Sequence, residues 1–548
     1  MSEELLRGAD VVARTLKRAG IDHIFALSGN HIMSLFDATL EAGLELIHVR
    51  HEGAAVHMAD AWARISGRVG VAWVTGGPGH ANAVSALYTA LASESPVVLL
   101  SGHAPRAREG MGAFQELDQA AMAAPVTKAS WVAEDPERLG TDIAQALRIA
   151  ANGRPGPVHL SLPEDVLDAA AAGGGIADST QAHPPRQPLS AGLARSVTAG
   201  LAAAQRPLVL TGPQTATPAG RRLTGALQDA LGVPVIPMES PRGINDPSLG
   251  AFAELLPAAD HILLLGKKLD FTLGFGEASV LNPHSRLVHI DPDPDACQYT
   301  LRAMREAEHP AQIAVADVRC AIEALAGAHD APGHSHEQWN RTVAEALAYR
   351  PPEWSRLRGA QPGTLHPVQL GRAVQAALAQ HEEAITVCDG GEFGQWAQAC
   401  LGTARRIING PAGAIGGALP FALGACVAQP EAPIVALSGD GALGFHLAEF
   451  DTAVRHNLPV VVVVGNDACW NAEYQIQLRR YGAQRTVGCE LLRSRYDKAA
   501  EAMGAYAAYV EREQDLAEAL NRAIASGRPT CVNVAVSRHP APKVRRNN

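Results

Sequence analysis

Cysteine is scarce in this sequence and is confined to its second half. Only eight of the 548 residues are cysteines, and all of them follow residue 296. None belongs to a Cys-x-x-Cys pair. A disulfide framework and a zinc site are therefore not expected, and a reducing compartment, the cytoplasm, is the predicted location.

Clustered positive charge is also missing. The net charge is −10, and the one basic cluster is Lys543-Val544-Arg545-Arg546. A nucleic-acid partner is therefore not expected, and the basic cluster is predicted to be a solvated tail. No apolar run reaches membrane-spanning length, and acidic residues interrupt the N-terminus where a signal peptide would need a continuous apolar core, so a membrane partner is not expected either.

The residues that are abundant indicate a large globular α/β protein. Hydrophobic residues make up 47% and charged residues 19% of the chain, with 52 glycines. This composition is not that of a disordered protein. A chain of this length exceeds what one hydrophobic core normally supports, so several domains are expected.

Apolar runs of strand length alternate with helical patterns in three blocks, and this alternation predicts parallel sheets. The runs lie near 24–27, 46–49, 71–75 and 97–101 in the first block, near 207–212, 262–265 and 288–291 in the second, and near 384–387 and 460–464 in the third. The first and third blocks share no evident sequence repeat but could share a fold.

The most informative motif lies in the third block. Ser438-Gly439-Asp440-Gly441-Ala442 is followed, after five consecutive valines, by Gly465-Asn466-Asp467. Glycines let backbone amides approach a phosphate closely. Carboxylate oxygens suit Mg²⁺ better than Zn²⁺. The motif therefore predicts a magnesium and diphosphate site with Asp440 and Asp467 as metal ligands.

Two other glycine-rich turns, at 76–80 and 410–417, and the segment Arg50-His51-Glu52 also lie beside predicted strands or helix starts. Ligands of open parallel sheets bind at the carboxyl ends of the strands. Each turn alone could simply close a tight bend. Together with the acidic residue Glu52 they indicate a shared ligand site.

These motifs, in this order, resemble those of the thiamine diphosphate (ThDP)-dependent enzymes. In that family Gly-Asp-Gly precedes a terminal Asn-Asn by roughly two dozen residues. The second asparagine is Asp467 here, which keeps an oxygen ligand but adds a negative charge. The chain is most similar to the branch that contains acetolactate synthase, benzaldehyde lyase, oxalyl-CoA decarboxylase and 2-hydroxyacyl-CoA lyase.

The resemblance implies an α/β fold with three doubly wound parallel-sheet domains of the ThDP-enzyme type. The expected division is a pyrimidine-binding domain at 1–168, a linker at 169–190, a central domain at 191–345, a linker at 346–363, a diphosphate- and Mg-binding domain at 364–536 and a tail at 537–548. In this branch the glutamate acts on cofactor held mainly by the neighbouring subunit. A homodimer is therefore the expected minimal unit, within a homotetramer.

The resemblance also implies roles for single residues. Glu52 would hydrogen-bond the aminopyrimidine ring of the cofactor from an apolar site that keeps its carboxyl protonated. Ile415 would be an apolar wedge under the folded cofactor, with an ordinary core isoleucine as the alternative. Cys469 would bind the metal through its main-chain carbonyl. The other expected cofactor-binding residues are Gly29, Thr75, Asn82, Gly391, Glu392, Gly413, Gly439, Gly441 and Ala442.

Two residues are expected to handle substrate protons. His31 lies where benzaldehyde lyase has an active-site histidine, and an imidazole can take and return a proton near neutral pH. A structural histidine is the alternative. Gln115 matches a glutamine near the cofactor in several relatives. The expected substrate pocket consists of Asn30, Asn409, Trp470, Ala472 and Glu473.

The implied activity is that of a Mg²⁺- and ThDP-dependent carbon–carbon lyase or carboligase. Its substrates would be 2-hydroxy ketones, 2-keto acids or 2-hydroxyacyl-CoA, and it would act through a C2 ylid and an enamine. An acetolactate synthase-type carboligase, a 2-keto acid or oxalyl-CoA decarboxylase, and a non-catalytic nucleotide-binding module remain alternatives. The central domain would hold FAD, CoA/ADP or nothing, and Lys267 and Lys268 would either meet phosphates or form a solvated pair.

Overall fold

The computed structural model describes residues 6–171, 175–328, 336–402 and 405–546. Three parallel sheets of six, five and six strands follow one another along these residues. Helices separate the strands of each sheet, as the alternation in the sequence predicts. The predicted α/β fold with three parallel-sheet domains is confirmed.

The N-terminal domain is built on the first six-stranded sheet. The domain has eight strands, of which β2 to β7 form this sheet. They are β1 (Leu6–Arg7), β2 (His23–Ala26), β3 (Glu45–His48), β4 (Gly70–Val74), β5 (Val97–His103), β6 (Ser130–Val132), β7 (Val158–Pro163) and β8 (Ala170–Ala171). Its helices are α1 (Gly8–Arg18), α2 (Met33–Ala42), α3 (Glu52–Ser66), α4 (Pro78–Ala92), α5 (Gln119–Ala123), α6 (Leu139–Ala151) and α7 (Glu164–Asp168). The sheet order is β3-β2-β4-β5-β7-β6, and β1 pairs with β8 in a separate antiparallel ladder.

The central domain contains the five-stranded sheet. Its strands are β9 (Pro207–Thr211), β10 (Val235–Pro237), β11 (His261–Leu265), β12 (Arg286–Asp291) and β13 (Gln312–Val315), in the order β10-β9-β11-β12-β13. Its helices are α8 (Ala191–Ala203), α9 (Pro218–Leu231), α10 (Pro294–Ala303), α11 (Val318–Gly327) and α12 (Glu337–Ala348). Helix α12 runs past the expected domain end at 345, because Trp339 and Ala346 on its inner face are buried.

The C-terminal domain is built on the second six-stranded sheet. Its strands are β14 (Ile385–Cys388), β15 (Arg405–Ile408), β16 (Ile434–Gly439), β17 (Val460–Asn466), β18 (Tyr506–Val510) and β19 (Thr530–Ala535). Its helices are α13 (Pro367–Leu378), α14 (Gly391–Cys400), α15 (Ala418–Ala428), α16 (Asp440–Leu443), α17 (Glu449–Arg455), α18 (Asn471–Tyr481), α19 (Tyr496–Ala502) and α20 (Glu513–Ala525). The order is β15-β14-β16-β17-β19-β18.

The first and third sheets have the same topology. When the strands of each six-stranded sheet are counted along the chain, both sheets read 2-1-3-4-6-5. The sequence suggested that these blocks could share a fold, and the shared strand order confirms it. In both sheets the order reverses between the first and third strands, and crevices that bind ligands form at such points.

One hydrophobic core joins the N- and C-terminal domains through helices α3 and α15. The two helices are in contact at their backbones, because a Cβ added to Gly424 would lie 2.3 Å from the carbonyl oxygen of Met58. The rings of His57 and Phe421 meet edge to face at 4.8 Å. The central domain is held by buried charges instead: Arg154 of the N-terminal domain pairs with Asp291, and Arg406 of the C-terminal domain pairs with Glu239 at 2.7 Å.

No helix among the described residues is long and apolar enough to cross a membrane. The eight cysteines are all free, and six of them are buried. These thiols serve as small core side chains rather than as crosslinks.

Candidate active site

The predicted metal ligands follow two neighbouring strands of the C-terminal sheet. Asp440 follows β16, and Asp467 follows β17, which pairs with β16 in a register that sets Gly439 opposite Gly465. The two aspartates are 1% and 6% exposed. Oδ2 of Asp440 and Oδ1 of Asp467 are buried without a hydrogen-bond partner among the described residues. A bound cation can satisfy a buried carboxylate oxygen that has no hydrogen-bond donor.

The pKa shifts of Asp440 and Asp467 also fit a cation bound between the two carboxylates. Burial raises the pKa of Asp440. Burial, and then the negative charge of Asp440, raise the pKa of Asp467. Two carboxylates forced together in an apolar setting resist ionisation unless a positive charge lies between them. The residues present therefore fit a hard divalent cation.

Side chains alone do not complete the metal site. No group of three or more His, Cys, Asp or Glu side chains among the described residues could hold a metal ion. Burial raises the pKa of the Cys469 thiol to about 12, and a thiolate is a soft ligand that Mg²⁺ does not prefer. Main-chain and phosphate oxygens would have to fill the remaining positions, as expected for Mg²⁺.

A cavity of about 370 Å³ surrounds these aspartates. It gathers every site residue that was predicted in the C-terminal domain, from four separate segments of the chain. These residues are Gly391, Glu392, Asn409, Gly413, Ile415, Gly439, Asp440, Gly441, Ala442, Asp467, Cys469, Trp470, Ala472 and Glu473.

Ile415 lies in the wall of this cavity and is only partly buried. A Cβ on Gly390 would lie 2.8 Å from its Cγ2, so the glycine is needed to make room for the isoleucine. Asn409 donates from Nδ2 to the carbonyl of Ala414 at 2.8 Å, which holds the residue before Ile415. The wedge role stays a prediction.

Asp389 organises the cavity. The sequence predicted that its turn, 389–392, lies near the diphosphate but gave Asp389 itself no role. It is 1% exposed. Its carboxylate accepts hydrogen bonds from the amides of Gly390 at 2.8 Å and Gly416 at 2.9 Å, and from the hydroxyl of Ser438 at 2.9 Å. These donors lie at the ends of β14 and β16 and in the turn that carries Ile415. An aspartate directly after a buried strand was the available sequence signal.

The predicted residues of the N-terminal domain form a second group. Glu52 is the first residue of α3, and its Oε2 accepts a hydrogen bond from Nδ2 of Asn82 at 3.0 Å. Nδ1 of His31 lies 3.3 Å from Oγ1 of Thr75. A Cβ on Gly29 would lie 2.3 Å from Cβ of Thr75, so Gly29 permits the close approach of the two strand ends.

Gln115 lies beside the glycine turn of this second group. It has a left-handed backbone with φ of 57°, which non-glycine residues adopt mainly at functional sites or tight turns. A Cβ on Gly77 would lie 2.7 Å from the Gln115 carbonyl oxygen. The buried Gln119, which was not predicted, accepts from the Gly77 amide at 2.8 Å. Asn30, which follows Gly29 in the turn after β2, is exposed.

The two groups do not share one cavity in this chain. None of the described residues that line the cavity around Asp440 comes from the N-terminal domain. Glu52 is partly exposed, so the described residues of its own chain do not supply the apolar enclosure that was expected around it. The predicted site residues therefore form two separate groups, called half-sites below, one around Asp440 and one around Glu52.

Two predictions about basic residues were wrong. Lys267 is 3% exposed and donates to Oγ1 of Thr272 at 2.6 Å, so it is a buried structural lysine and not part of a solvated pair. Lys268 is exposed. The segment 543–546 is not a solvated tail, because Val544 is 7% exposed and Arg545 donates to Oδ1 of Asn245 at 2.7 Å.

Comparison with known proteins shows the family of the chain. Three family models match: the thiamine pyrophosphate enzyme N-terminal TPP-binding domain at residues 6–122, the central domain at 194–325 and the C-terminal TPP-binding domain at 389–534. The chain belongs to the thiamine pyrophosphate enzymes. Thiamine pyrophosphate is thiamine diphosphate, so the protein is a ThDP-dependent enzyme, and the resemblance noted in its motifs is confirmed.

Curated relatives cover nearly the whole chain. The acetolactate synthase large subunit IlvG of Mycobacterium tuberculosis is 33% identical over 97% of this chain and 96% of its own length. The human 2-hydroxyacyl-CoA lyase 2 is 31% identical over 97% of this chain and 90% of its own length. The chain thus falls in a group of ThDP enzymes that contains both carboligases and lyases. The two TPP-binding models match the two domains that carry the two half-sites.

Proposed function

We propose that this ThDP enzyme makes or breaks a carbon–carbon bond next to a carbonyl, with Mg²⁺ as its metal. The substrates would be 2-hydroxy ketones, 2-keto acids or 2-hydroxyacyl-CoA thioesters. The observation that carries the proposal is the buried pair Asp440 and Asp467. Both line the cavity at the strand ends, and each has a carboxylate oxygen without a hydrogen-bond partner among the described residues. A nucleotide-binding module without catalysis would have no use for the second group around Glu52.

In this proposal the C-terminal half-site holds the cofactor. Asp440, Asp467 and the main-chain carbonyl of Cys469 would bind Mg²⁺, and the metal would carry the diphosphate. Gly391 after β14 and Gly441 after β16 line the cavity, and their lack of a side chain would let the backbone approach phosphate oxygens. Bound ThDP supplies the carbon nucleophile and holds the electron pair of the broken bond, which the side chains of the protein cannot do.

The N-terminal half-site would act on protons. Glu52 would hold a proton against the aminopyrimidine ring, with Asn82 fixing its carboxyl by the 3.0 Å hydrogen bond. His31, which is 2% exposed and in contact with Thr75, would take and return the proton of the substrate hydroxyl. Gln115 would orient the substrate or the cofactor from the adjoining loop.

A homodimer follows from the separation of the half-sites. We infer that Glu52 of one subunit faces the cofactor held by Asp440 of the other, so each dimer contains two complete sites. The partner surface would also give Glu52 the apolar enclosure that its own chain does not supply. Two such dimers would form the proposed homotetramer.

The resemblance leaves FAD, CoA/ADP or nothing open for the central domain, and a nucleotide there would lie in a separate cavity. We place FAD or the ADP portion of CoA in a cavity of about 450 Å³ beside the end of β9, which is lined by Gln214, Thr215 and Thr217. Nε2 of Gln214 is buried there without a partner among the described residues. Flavin absorbance and chromatography of released nucleotides would test this placement.

The test of the proposed function is a panel of donors. The protein is incubated with Mg²⁺ and ThDP and then with pyruvate, benzoin, formaldehyde or a 2-hydroxyacyl-CoA, and small molecules are identified by mass spectrometry. Consumption of one donor that stops when ThDP is omitted would support the proposal and distinguish synthase, lyase and decarboxylase. Survival of every donor with ThDP bound would contradict it.

The eight free cysteines support the proposed cytoplasmic location.

A further inference from the structure

A group of polar side chains is buried in the N-terminal sheet beneath the half-site around Glu52. His159 and Ser161 lie two residues apart in β7, so both side chains project from the same face of the sheet. Both residues are fully buried. The strand register sets Ser130 of β6 opposite His159. The residues that alternate with them in β7 are apolar and belong to the core on the opposite face.

Gln119 of helix α5 covers these side chains and is 1% exposed. Its Oε1 accepts a hydrogen bond from the Gly77 amide at 2.8 Å. Its Nε2 donates to the carbonyl of Gly102 at 3.0 Å and to Oγ of Ser161 at 2.9 Å. One carboxamide therefore joins the turn after β4 to β5 and β7, which are neighbouring strands of the sheet.

The hydrogen bonds continue from Ser161 to His159. Because Oγ of Ser161 accepts from Gln119, its own hydrogen is available to Nε2 of His159 at 3.3 Å. Nδ1 of His159 lies 2.8 Å from Oγ of Ser130. Accepting at Nε2 and donating at Nδ1 requires a neutral imidazole. Burial lowers the pKa of His159 well below its ordinary value and so maintains the neutral form. Gln119, Ser161, His159 and Ser130 are called the polar network below.

The polar network ends on the backbone that supports the two expected proton-handling residues. A Cβ on Gly102 would lie 2.6 Å from Cβ of His31. A Cβ on Gly77 would lie 2.7 Å from the carbonyl oxygen of Gln115. His31 and Gln115 therefore pack directly on the two backbone positions that Gln119 binds. A shift of the Gln119 side chain would move both supports.

Apolar packing could fill this space at less cost. The other buried residues on this face of the sheet, such as Leu99 and Val74, belong to a large hydrophobic core. Buried polar groups cost free energy unless every one is hydrogen-bonded, but a network with its bonds made is rigid and fixes one geometry. The polar network therefore serves geometry more than stability.

We propose that Gln119 is a positioning residue of the N-terminal half-site, and that Ser161 and His159 hold it in place. Gln119 fixes Gly102 beneath His31 and the Gly77 turn beside Gln115. The proposal rests on the proposed function, because the placement of His31 and Gln115 affects the rate only if these residues handle substrate protons.

Two variants weaken the network by different amounts. Ser161→Ala removes one hydroxyl and adds no atoms, whereas Gln119→Leu replaces the carboxamide by an apolar side chain of similar size. We expect kcat to fall about tenfold in Ser161→Ala and about 100-fold in Gln119→Leu, since a displacement of about 1 Å can cost that much. KM and the dissociation constant of ThDP should stay at their wild-type values.

Ser285→Ala is the matched control. Ser285 is also a buried serine, and its hydroxyl donates to the carbonyl of Ala259 in the central domain. The control should keep the wild-type kcat even if its thermal midpoint falls as far as that of Ser161→Ala. A loss of kcat in the control equal to that in Ser161→Ala would overturn the proposal, because the effect would then be one of general stability.

Double variants show whether the network acts through the proton-handling residues. Ser161→Ala is combined with His31→Ala and, separately, with Gln115→Ala. If Ser161 acts through one of these residues, its removal should cost little further activity once that residue is absent. Losses of kcat that multiply in both combinations would overturn the proposal.

Hydrogen exchange tests the hold on the turn without turnover. In protein saturated with Mg²⁺ and ThDP, the peptide that contains Gly77 is followed by mass spectrometry. We expect its exchange to be about tenfold faster in Ser161→Ala and Gln119→Leu than in the wild type and Ser285→Ala, the size of one weakened hydrogen bond. Unchanged exchange in both variants would overturn the proposal whatever the enzyme turns over. Faster exchange in a protein that consumes no donor would support the hold on the turn and contradict the proposed function alone.

Discussion

Single carboxylates determine the chemistry that this chain can support. Asp440 and Asp467 each have a buried oxygen without a partner in the described part of the chain, whereas Glu52 is partly exposed and accepts a hydrogen bond from Asn82. The first two are suited to a metal ion, and the third to a proton that is shared with a ligand. The same residue type thus takes different roles according to its depth and its neighbours.

Glu52→Gln should abolish turnover while ThDP still binds. The amide keeps the shape of the side chain but cannot hold the acidic proton, so we expect a loss of about 10²–10⁴-fold in kcat, typical for a general acid or base. Steady-state kinetics with parallel ThDP titration would measure both. Glu513→Gln, at the exposed start of α20, is the matched control. Full activity of Glu52→Gln would refute the role of Glu52.

Glu449 links the two domains at the turn before Glu52. Its side chain is fully buried, its Oε1 accepts from the Arg50 amide at 3.1 Å, and its Oε2 accepts from the hydroxyl of Thr452 at 2.6 Å. Burial raises the pKa of Glu449 to about 7. Because the folded protein favours the protonated form, the stabilisation is complete below the ordinary pKa and is lost as pH rises through about 7.

Glu449→Gln should therefore make thermal stability less dependent on pH. Glutamine keeps an oxygen for the Arg50 amide and carries no charge at any pH. We expect the fall in thermal midpoint between about pH 5 and pH 8 to be smaller in the variant than in the wild type, by the equivalent of up to about 3 kcal/mol. Differential scanning calorimetry at both pH values would measure it. An identical pH dependence in both proteins would show that Glu449 does not titrate in this range.

At the scale of secondary-structure elements, the sequence predicted the strands well, because strands of a parallel sheet are buried on both faces and read as continuous apolar runs. The run 460–464 became β17, and Glu52 starts α3 as expected. The docking of Val544 and Arg545 and the burial of Lys267 were missed. Both depend on contacts with distant segments, which local pattern does not reveal.

The pairing of α3 with α15 depends on a glycine. A Cβ at Gly424 would lie 2.3 Å from the Met58 carbonyl, so Gly424→Ala should force the helices apart and cost about 1–3 kcal/mol. Gly225→Ala in α9 is the matched control, because nothing lies within 4 Å of its added Cβ and alanine favours helix. Thermal midpoints of the two variants should move in opposite directions. Equal midpoints would mean that the helix contact tolerates separation.

At the scale of the whole molecule, the sequence predicted the members of both half-sites but could not show how they are distributed in space. The family resemblance of the motifs predicts that Glu52 and Asp440 serve one site. The fold brings the residues around Asp440 into one cavity and leaves Glu52 outside it. The sequence pattern shows which strands end in polar residues. The distance between Glu52 and Asp440 depends on how the N- and C-terminal domains pack through α3 and α15, which the pattern does not show.

Mixed dimers test the shared site directly. Glu52→Gln and Asp440→Ala should each be inactive alone, since every site then lacks either the glutamate or the metal ligand. When the two variants are co-expressed with different tags and the doubly tagged protein is isolated, one site of each dimer would combine the intact Glu52 of one chain with the intact Asp440 of the other. We expect about half of wild-type activity per dimer, because C2 symmetry makes two equivalent sites and one is restored. An inactive mixed dimer would mean that both residues serve the same chain, and the inferred subunit arrangement would then be wrong.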